Sequence, residues 1–229
     1  MNLTFRKYLV GTDTFIRHLC LSHLLTAFSP STILDVGGEG FLRQFVKARV
    51  TSVNVKAADV RYSGVLLPFK DNSFDIVVSC DTLEHISKQG RERFLSEFVR
   101  VSRKGVVLCA PLGTLEHIEA EKTVVKSNGL DPQLKAYLEE HIAYGLPTPE
   151  EVAGYSSRFN GRVWYQGDFR KVSGRQHGGI FRYLTALKLA AGNLITDAFA
   201  FAPRLLKSDF GTYTNRFFLV TDKTGSGLT

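Results

Sequence analysis

Three groups of residues in the chain carry side chains able to do chemistry. The first is Ile33-Leu34-Asp35-Val36-Gly37-Gly38-Glu39-Gly40, an apolar run that meets a carboxylate and stops at glycines. Glycines at such a stop let backbone N–H groups approach a ligand closely, and a helix opening behind them presents its positive end. The pyrophosphate fingerprint G-x-G-x-x-G is not met, because Gly37 and Gly40 stand three apart and residue 39 is Glu, which disfavours a dinucleotide dehydrogenase. The second group is Cys80-Asp81-Thr82-Leu83-Glu84-His85, in which Asp81 and Glu84 have the spacing of a helix-capping box. The third is a set of histidines beside carboxylates: His117 four residues before Glu121, and His141 directly after Glu139-Glu140. Such pairs suit a general base or a metal ligand. His85, His117 and His141 are the candidate bases. No third ligand stands at tight spacing, so no metal site is expected.

The elements that must position these groups follow from hydrophobic patterning. Residues 14–28 place Phe15, Leu19, Leu24 and Leu25 on one helical face, and Ser29-Pro30-Ser31 ends that helix. Residues 32–36, 74–80 and 105–110 are short apolar runs without polar alternation, as expected of strands covered on both faces. Residues 50–55 and 59–62 give two further strands, and 41–46 a helix after the glycines. A helix over 91–103 turns Phe94, Leu95, Phe98 and Val99 inward and Arg91, Glu92, Arg93 and Glu97 outward. Helices are expected over 114–126 and 131–143, and Thr148-Pro149-Glu150-Glu151 is a capped start for another. Strands follow at 163–165 and 215–220, with a mostly apolar helical stretch over 178–207 between them. Strand–helix alternation of this kind specifies a parallel sheet with helices on both sides.

Composition sets the outer bounds. The 229 residues are 44% hydrophobic and 22% charged, which excludes disordered and fibrous classes. Cys20, Cys80 and Cys109 are odd in number and lie in apolar runs, as reduced thiols of a cytoplasmic protein do. The opening residues do not form a secretory signal, and no charge-free apolar stretch approaches the roughly 18–20 residues that cross a bilayer. The net charge of +7 is uneven: residues 1–150 hold 18 basic and 17 acidic residues, residues 151–229 hold 11 and 5. A basic third meets anionic partners or a solvated surface. Thr-Leu-Glu-His-Ile occurs at 82–86 and 114–118, with no similarity around the two copies.

Residues 33–111, with Leu67-Pro68-Phe69, Asp71-Asn72-Ser73-Phe74-Asp75 and Arg100-Val101-Ser102-Arg103-Lys104-Gly105 in order between the first two groups and Pro111, resemble the small-molecule, type 11 branch of the class I S-adenosylmethionine-dependent methyltransferases. The resemblance implies an α/β fold: a doubly wound, mostly parallel Rossmann-like sheet with helices on both faces and a helical insertion before the last strand. It implies S-adenosyl-L-methionine as cofactor. Asp35 then orients the glycine loop and helps hold the methionine ammonium, with Gly37, Gly38, Glu39 and Gly40 under the methionine and ribose. Asn54 stands where the family has an acidic residue on the ribose hydroxyls, and Ser63-Gly64 where an Asp accepts the adenine amino group. Cys80 and Asp81 border cofactor and substrate.

One domain over 1–229 is expected: a helical lead-in (1–30), a cofactor-binding core (31–112), a helical region (113–160) and the last strands with their insertion (161–229). The implied reaction is methyl transfer to a small-molecule acceptor, anionic or lipid-linked in keeping with the basic C-terminal third. The alternatives are a non-catalytic binding module that keeps the fold, which Asn54 and Ser63 favour, and a nucleic-acid methyltransferase, for which no basic stripe with interleaved aromatics is present. The 178–207 stretch reads as a packed insertion, as a lid or homodimer face, or as an in-plane membrane helix.

Overall fold

The structure, a computed structural model, describes residues 7–56, 58–64, 66–171, 190–197 and 201–225. Its centre is a seven-stranded sheet: β1 (Thr32–Val36), β2 (Arg49–Asn54), β3 (Val60–Arg61), β4 (Phe74–Cys80), β5 (Ser102–Pro111), β6 (Gly161–Asp168) and β7 (Thr214–Asp222). The order across the sheet is β3-β2-β1-β4-β5-β7-β6. β1 to β5 pair in parallel, and β7 runs antiparallel between β5 and β6.

Alternation along each strand divides the core into two layers. Ile33, Ile76, Val78, Val107, Cys109, Phe218 and Val220 face one side with Cys20, Leu21, Leu24 and Leu25 of α1 (Thr12–Leu25). Leu34, Val36, Val77, Val106, Leu108, Phe217 and Leu219 face the other. There they meet Phe94, Leu95, Phe98 and Val101 of α2 (Lys88–Val101), and Val152 and Tyr155 further along the chain. Both faces are dry, so these strands read as unbroken apolar runs.

Between β5 and β6 lie α3 (Leu115–Val125), α4 (Pro132–Tyr144) and α5 (Pro149–Arg158). Asp131 caps α4, with its side chain accepting from the N–H groups of Gln133 and Leu134. Thr148 and Glu151 complete a reciprocal capping box on α5, as the Thr-Pro-Glu-Glu pattern requires. Residues 190–197 are helical, and a short α6 (Ala202–Leu205) precedes β7. The rest of the expected 178–207 insertion, residues 178–189 and 198–200, lies outside the described residues. Among the described residues no helix is long and apolar enough to cross a membrane.

Two expectations are corrected. The helix after the glycines is only a 3-10 turn, Phe41–Gln44, because the link from Val36 to Arg49 is too short for a helix with its two turns. Arg91 and Glu97 do not face outward: Arg91 is fully buried and Glu97 is 7% exposed. Each is buried because it is paired. Arg91 donates to Ile86 O (3.1 Å), Tyr144 O (3.4 Å), Gly145 O and Glu151 Oε1 (3.3 Å). It thereby fixes the C-terminal end of α4 against the segment that follows β4. Glu97 accepts from Leu67 N (2.9 Å) and is held by Arg100 (2.8 Å).

Candidate functional site

In an open α/β sheet, ligands sit at the carboxyl ends of the strands near the point where strand order reverses. Here that point lies between β1 and β4, and the glycine turn occupies it. Gly37 donates its N–H to Val53 O of β2 (2.8 Å) and adopts φ +81°. A Cβ at residue 37 would overlap Thr82 Oγ1, just past β4, so the turn is pressed between the ends of two neighbouring strands. The Asp35 carboxylate lies against Gly38 so closely that a Cβ there would overlap it. Asp35 is 4% exposed, and burial lifts its carboxyl to about 7, with Arg43 opposing the rise and Asp59 adding to it.

Asn54 closes the turn from the β2 side. Its Nδ2 donates to Gly37 O (2.6 Å), and its Oδ1 accepts from Lys56 N (3.3 Å). Glu39, Ser63 and Gly64 are exposed, and Gly40 takes φ +81° as it enters the 3-10 turn. The Tyr62 ring covers Gly64 so tightly that a Cβ there would overlap its hydroxyl. Asp35, Gly37, Gly38 and Asn54 therefore meet in one place, while Ser63 and Gly64 stay on the open loop beyond β3.

The β4 side is built by long-range ion pairs. Asp81 adopts φ +51°, and its N–H donates to Cys109 O (2.9 Å). Its carboxylate is 2.8 Å from Arg216 Nη1 and 2.5 Å from Arg17 Nη1. Arg216 Nη2 also reaches Asp13 (2.7 Å), which Arg17 contacts at 3.2 Å. Burial pushes the Asp81 carboxyl up, but Arg216 and Arg17 outweigh it and hold the group below the ordinary carboxylate range. Cys80 lies in register with Cys109 on β5, whose thiol, together with burial, raises its own well above the usual value. The same segment corrects the capping-box expectation. Asp81 is not a helix cap: the 3-10 turn Leu83–His85 is preceded by Thr82, without a side-chain cap bond, and α2 starts behind Ser87. Glu84 is instead buried, at 1% exposure, and its Oε2 has no hydrogen-bond partner among the described residues. Burial and the nearby Asp81 raise its carboxyl well above the usual range.

The three candidate histidines are distributed around α3 and α4. His85 Nδ1 lies 2.7 Å from Glu140 Oε2, and its ring centre is 4.9 Å from that of His141. His141 Nδ1 lies 3.0 Å from Glu121 Oε1. His117 Nδ1 faces Leu112 O (2.9 Å), and its ring stacks on Phe169 at 4.4 Å. Burial lowers the pKa of both His85 and His117. α4 spans the cleft edge: Lys56, past β2, donates to Tyr137 Oη (3.2 Å), and Glu140 holds His85, past β4. β1, which ends in the glycine turn, lies between β2 and β4 in the sheet.

Sequence reasoning missed Asp13, Arg17 and Arg216. Arg216 carried one signal, a charge inside the apolar run Asn215-Arg216-Phe217-Phe218-Leu219-Val220. Asp13 and Arg17 carried none, since they sit in a segment read only as a lead-in. An open groove of ≈ 600 Å³ past the end of β5, lined by Thr114, Thr148 and Phe210 among others, shares no residue with the glycine turn. Volume alone does not mark the site.

Comparison with known proteins bears on the fold. Residues 25–110 match the family model described as a methyltransferase domain, type 11. Over 113 residues the chain is 27% identical to the "Probable pectin methylesterase CGR2" of Arabidopsis thaliana. That match covers 49% of the chain and 35% of the relative, so it spans about a third of the relative's length. The plantazolicin methyltransferase BamL, solved with a triazolic desmethylPZN analogue and SAH, superposes with a TM-score of 0.54 at 13% identity, covering 96% of this chain and 89% of its own. The plantazolicin methyltransferase BpumL with SAH gives 0.52 at 12% identity, over 96% and 85%. At such identities the structures establish the fold. The family match runs across β1 to β5, and with the shared fold it makes this part of the chain similar to the S-adenosylmethionine-dependent methyltransferases.

Proposed function

We propose that the cleft over β1, β2 and β4 binds S-adenosylmethionine and transfers its methyl group to a small-molecule acceptor. The observation that carries this reading is Asp35: a carboxylate buried against Gly38 with, among the described residues, no side-chain cation in hydrogen-bond contact, lifted to about 7 by that burial. A group in that state is a receptor for a ligand ammonium, whose charge would restore the carboxylate. Gly37 and Gly38 leave room beside it, Asn54 holds the turn, and α4 covers the edge against water. Cys80 and Asp81 form the β4 wall. The sulfonium carbon is already electrophilic, so the chain's work is orientation and water exclusion. The BamL and BpumL structures, solved with SAH, support the cofactor, and the basic charge of residues 151–229 supports an anionic acceptor.

Isothermal titration with S-adenosylmethionine tests the reading. One equivalent binds the wild type, and Asp35→Asn lowers affinity at least ~10-fold, about 1.4 kcal/mol. Equal binding by the variant would place the methionine end elsewhere. One observation favours a second reading, a binding module without transfer: the Asn54 amide is engaged at both ends by main chain, where the family grips ribose with a charged acceptor. Retained binding with no transfer to any acceptor panel would select it.

A further inference from the structure

We propose that Glu84, His85 and His141 form a site for one divalent transition-metal ion at the carboxyl edge of β4. One donor atom from each of the three lies within 4.8 Å of the others. They come from two places in the chain, the 3-10 turn after β4 and the last turns of α4, so sequence spacing alone does not show the third ligand.

The hydrogen bonds prepare both imidazoles in the same way. Glu140 Oε2 sits 2.7 Å from His85 Nδ1, and Glu121 Oε1 sits 3.0 Å from His141 Nδ1. A carboxylate at Nδ1 fixes the proton on that nitrogen and leaves the Nε2 lone pair for a ligand, as in carboxylate–histidine–metal arrangements. The second observation is independent. Glu84 Oε2 is buried and, among the described residues, has no hydrogen-bond partner, although a buried carboxylate oxygen without one is costly. A cation at the cluster supplies the missing partner. Arg91 fixes the end of α4 through the carbonyls of Tyr144 and Gly145, which keeps His141 over His85.

Donor chemistry selects the ion. Two imidazoles and one carboxylate suit Zn²⁺, Fe²⁺ or Co²⁺, whereas Mg²⁺ and Ca²⁺ take oxygen ligands. Two or more ligands at about 2.1 Å from one ion stand closer together than 4.8 Å, so small side-chain rotations complete the set. Three protein ligands leave coordination positions open. An oxygen of the acceptor fits that opening, beside the β4 wall of the cleft; this use rests on the methyl-transfer reading, and binding of the ion does not.

The test uses the full chain stripped with a chelator, titrated with Zn²⁺ by calorimetry and with Co²⁺ by visible absorption. One equivalent of each binds, Co²⁺ develops ligand-field bands, and Mg²⁺ does not compete. His141→Asn and Glu84→Gln each lower affinity at least ~100-fold, and Glu140→Gln lowers it ~10–100-fold. His23→Asn binds as the wild type does. Circular dichroism in chelator checks folding, and if Glu84→Gln does not fold, His85→Asn takes its place. Absence of binding by the wild type, Mg²⁺ competing on equal terms, or unchanged affinity in the His141 and Glu84 (or His85) variants overturns the site. Stoichiometric metal without S-adenosylmethionine binding supports the metal site and rejects the acceptor role.

Discussion

Arg216 on β7 and Asp81 at the tip of β4 share a hydrogen-bonded ion pair, Nη1 to Oδ1 at 2.8 Å, across two strand boundaries. Arg216 is 5% exposed, so its charge exists there only with Asp81 and Asp13 around it. The pair holds Asp81 in its positive-φ conformation at the cleft wall.

Arg216→Met should therefore cost ~3–5 kcal/mol, since it leaves Asp13 and Asp81 with Arg17 alone between them. Urea denaturation at pH 7 measures this. Asp81 has a depressed folded-state pKa, so its contribution is present above 3.8 and is lost as pH falls through the lower folded value. The wild type should keep this contribution at pH 5, and Arg216→Met should keep only the part that Arg17 supplies. Adding Asp81→Asn to Arg216→Met should recover part of the loss.

Asp35 has the opposite sign. Its folded value is about 7 against 3.8 when exposed, so between these the folded state keeps a proton that the unfolded chain has released. Stability from this group falls as pH rises across that window. Asp35→Asn should thus be more stable than the wild type at pH 8, by ~1–3 kcal/mol, and gain little at pH 4. Under the proposed function the same variant loses cofactor affinity, and wild-type binding at pH 6 releases a proton, read from the dependence of the calorimetric heat on buffer.

Asn54→Asp introduces the acidic residue that the resemblance implies at this position. It also removes the Nδ2 donor to Gly37 O and sets a carboxylate against that carbonyl. The glycine turn should loosen, with a loss of ~1–3 kcal/mol in stability and weaker S-adenosylmethionine binding. Tighter binding by Asn54→Asp would contradict the role given to the amide.

Gly37→Ala combines a left-handed backbone, about 1–2 kcal/mol for a side chain, with overlap on Thr82. Thr82→Ala should rescue only the overlap. A double variant as stable as the wild type would mean that the turn relaxes out of φ +81°.

The sheet was legible in the sequence because burial on both faces leaves unbroken apolar runs, as at 32–36 and 74–80. The α5 start was legible because its capping box is local. Phe41, Leu42, Phe45 and Val46 suggested a helix because their spacing is helical, but the short link to β2 prevails over spacing. Arg91 was read outward because charge at one position says nothing of partners far along the chain; Tyr144, Gly145 and Glu151 make its burial tolerable. Among the candidate residues, Asp35 and the glycines stand together in one short segment, so their proximity is local. The Asp13–Arg17–Asp81–Arg216 group and the Glu84–His85–His141 cluster arise from pairing between distant segments, which no window of sequence contains.

The antiparallel β7 is made after every other strand, yet it lies inside the sheet, between β5 and β6. A nascent chain emerging from the ribosome must hold β6 apart from β5 until residues 214–222 arrive to fill the gap. Asp81 lacks its inner counter-ion throughout that wait. The ion-paired tip of β4 is therefore completed last in synthesis.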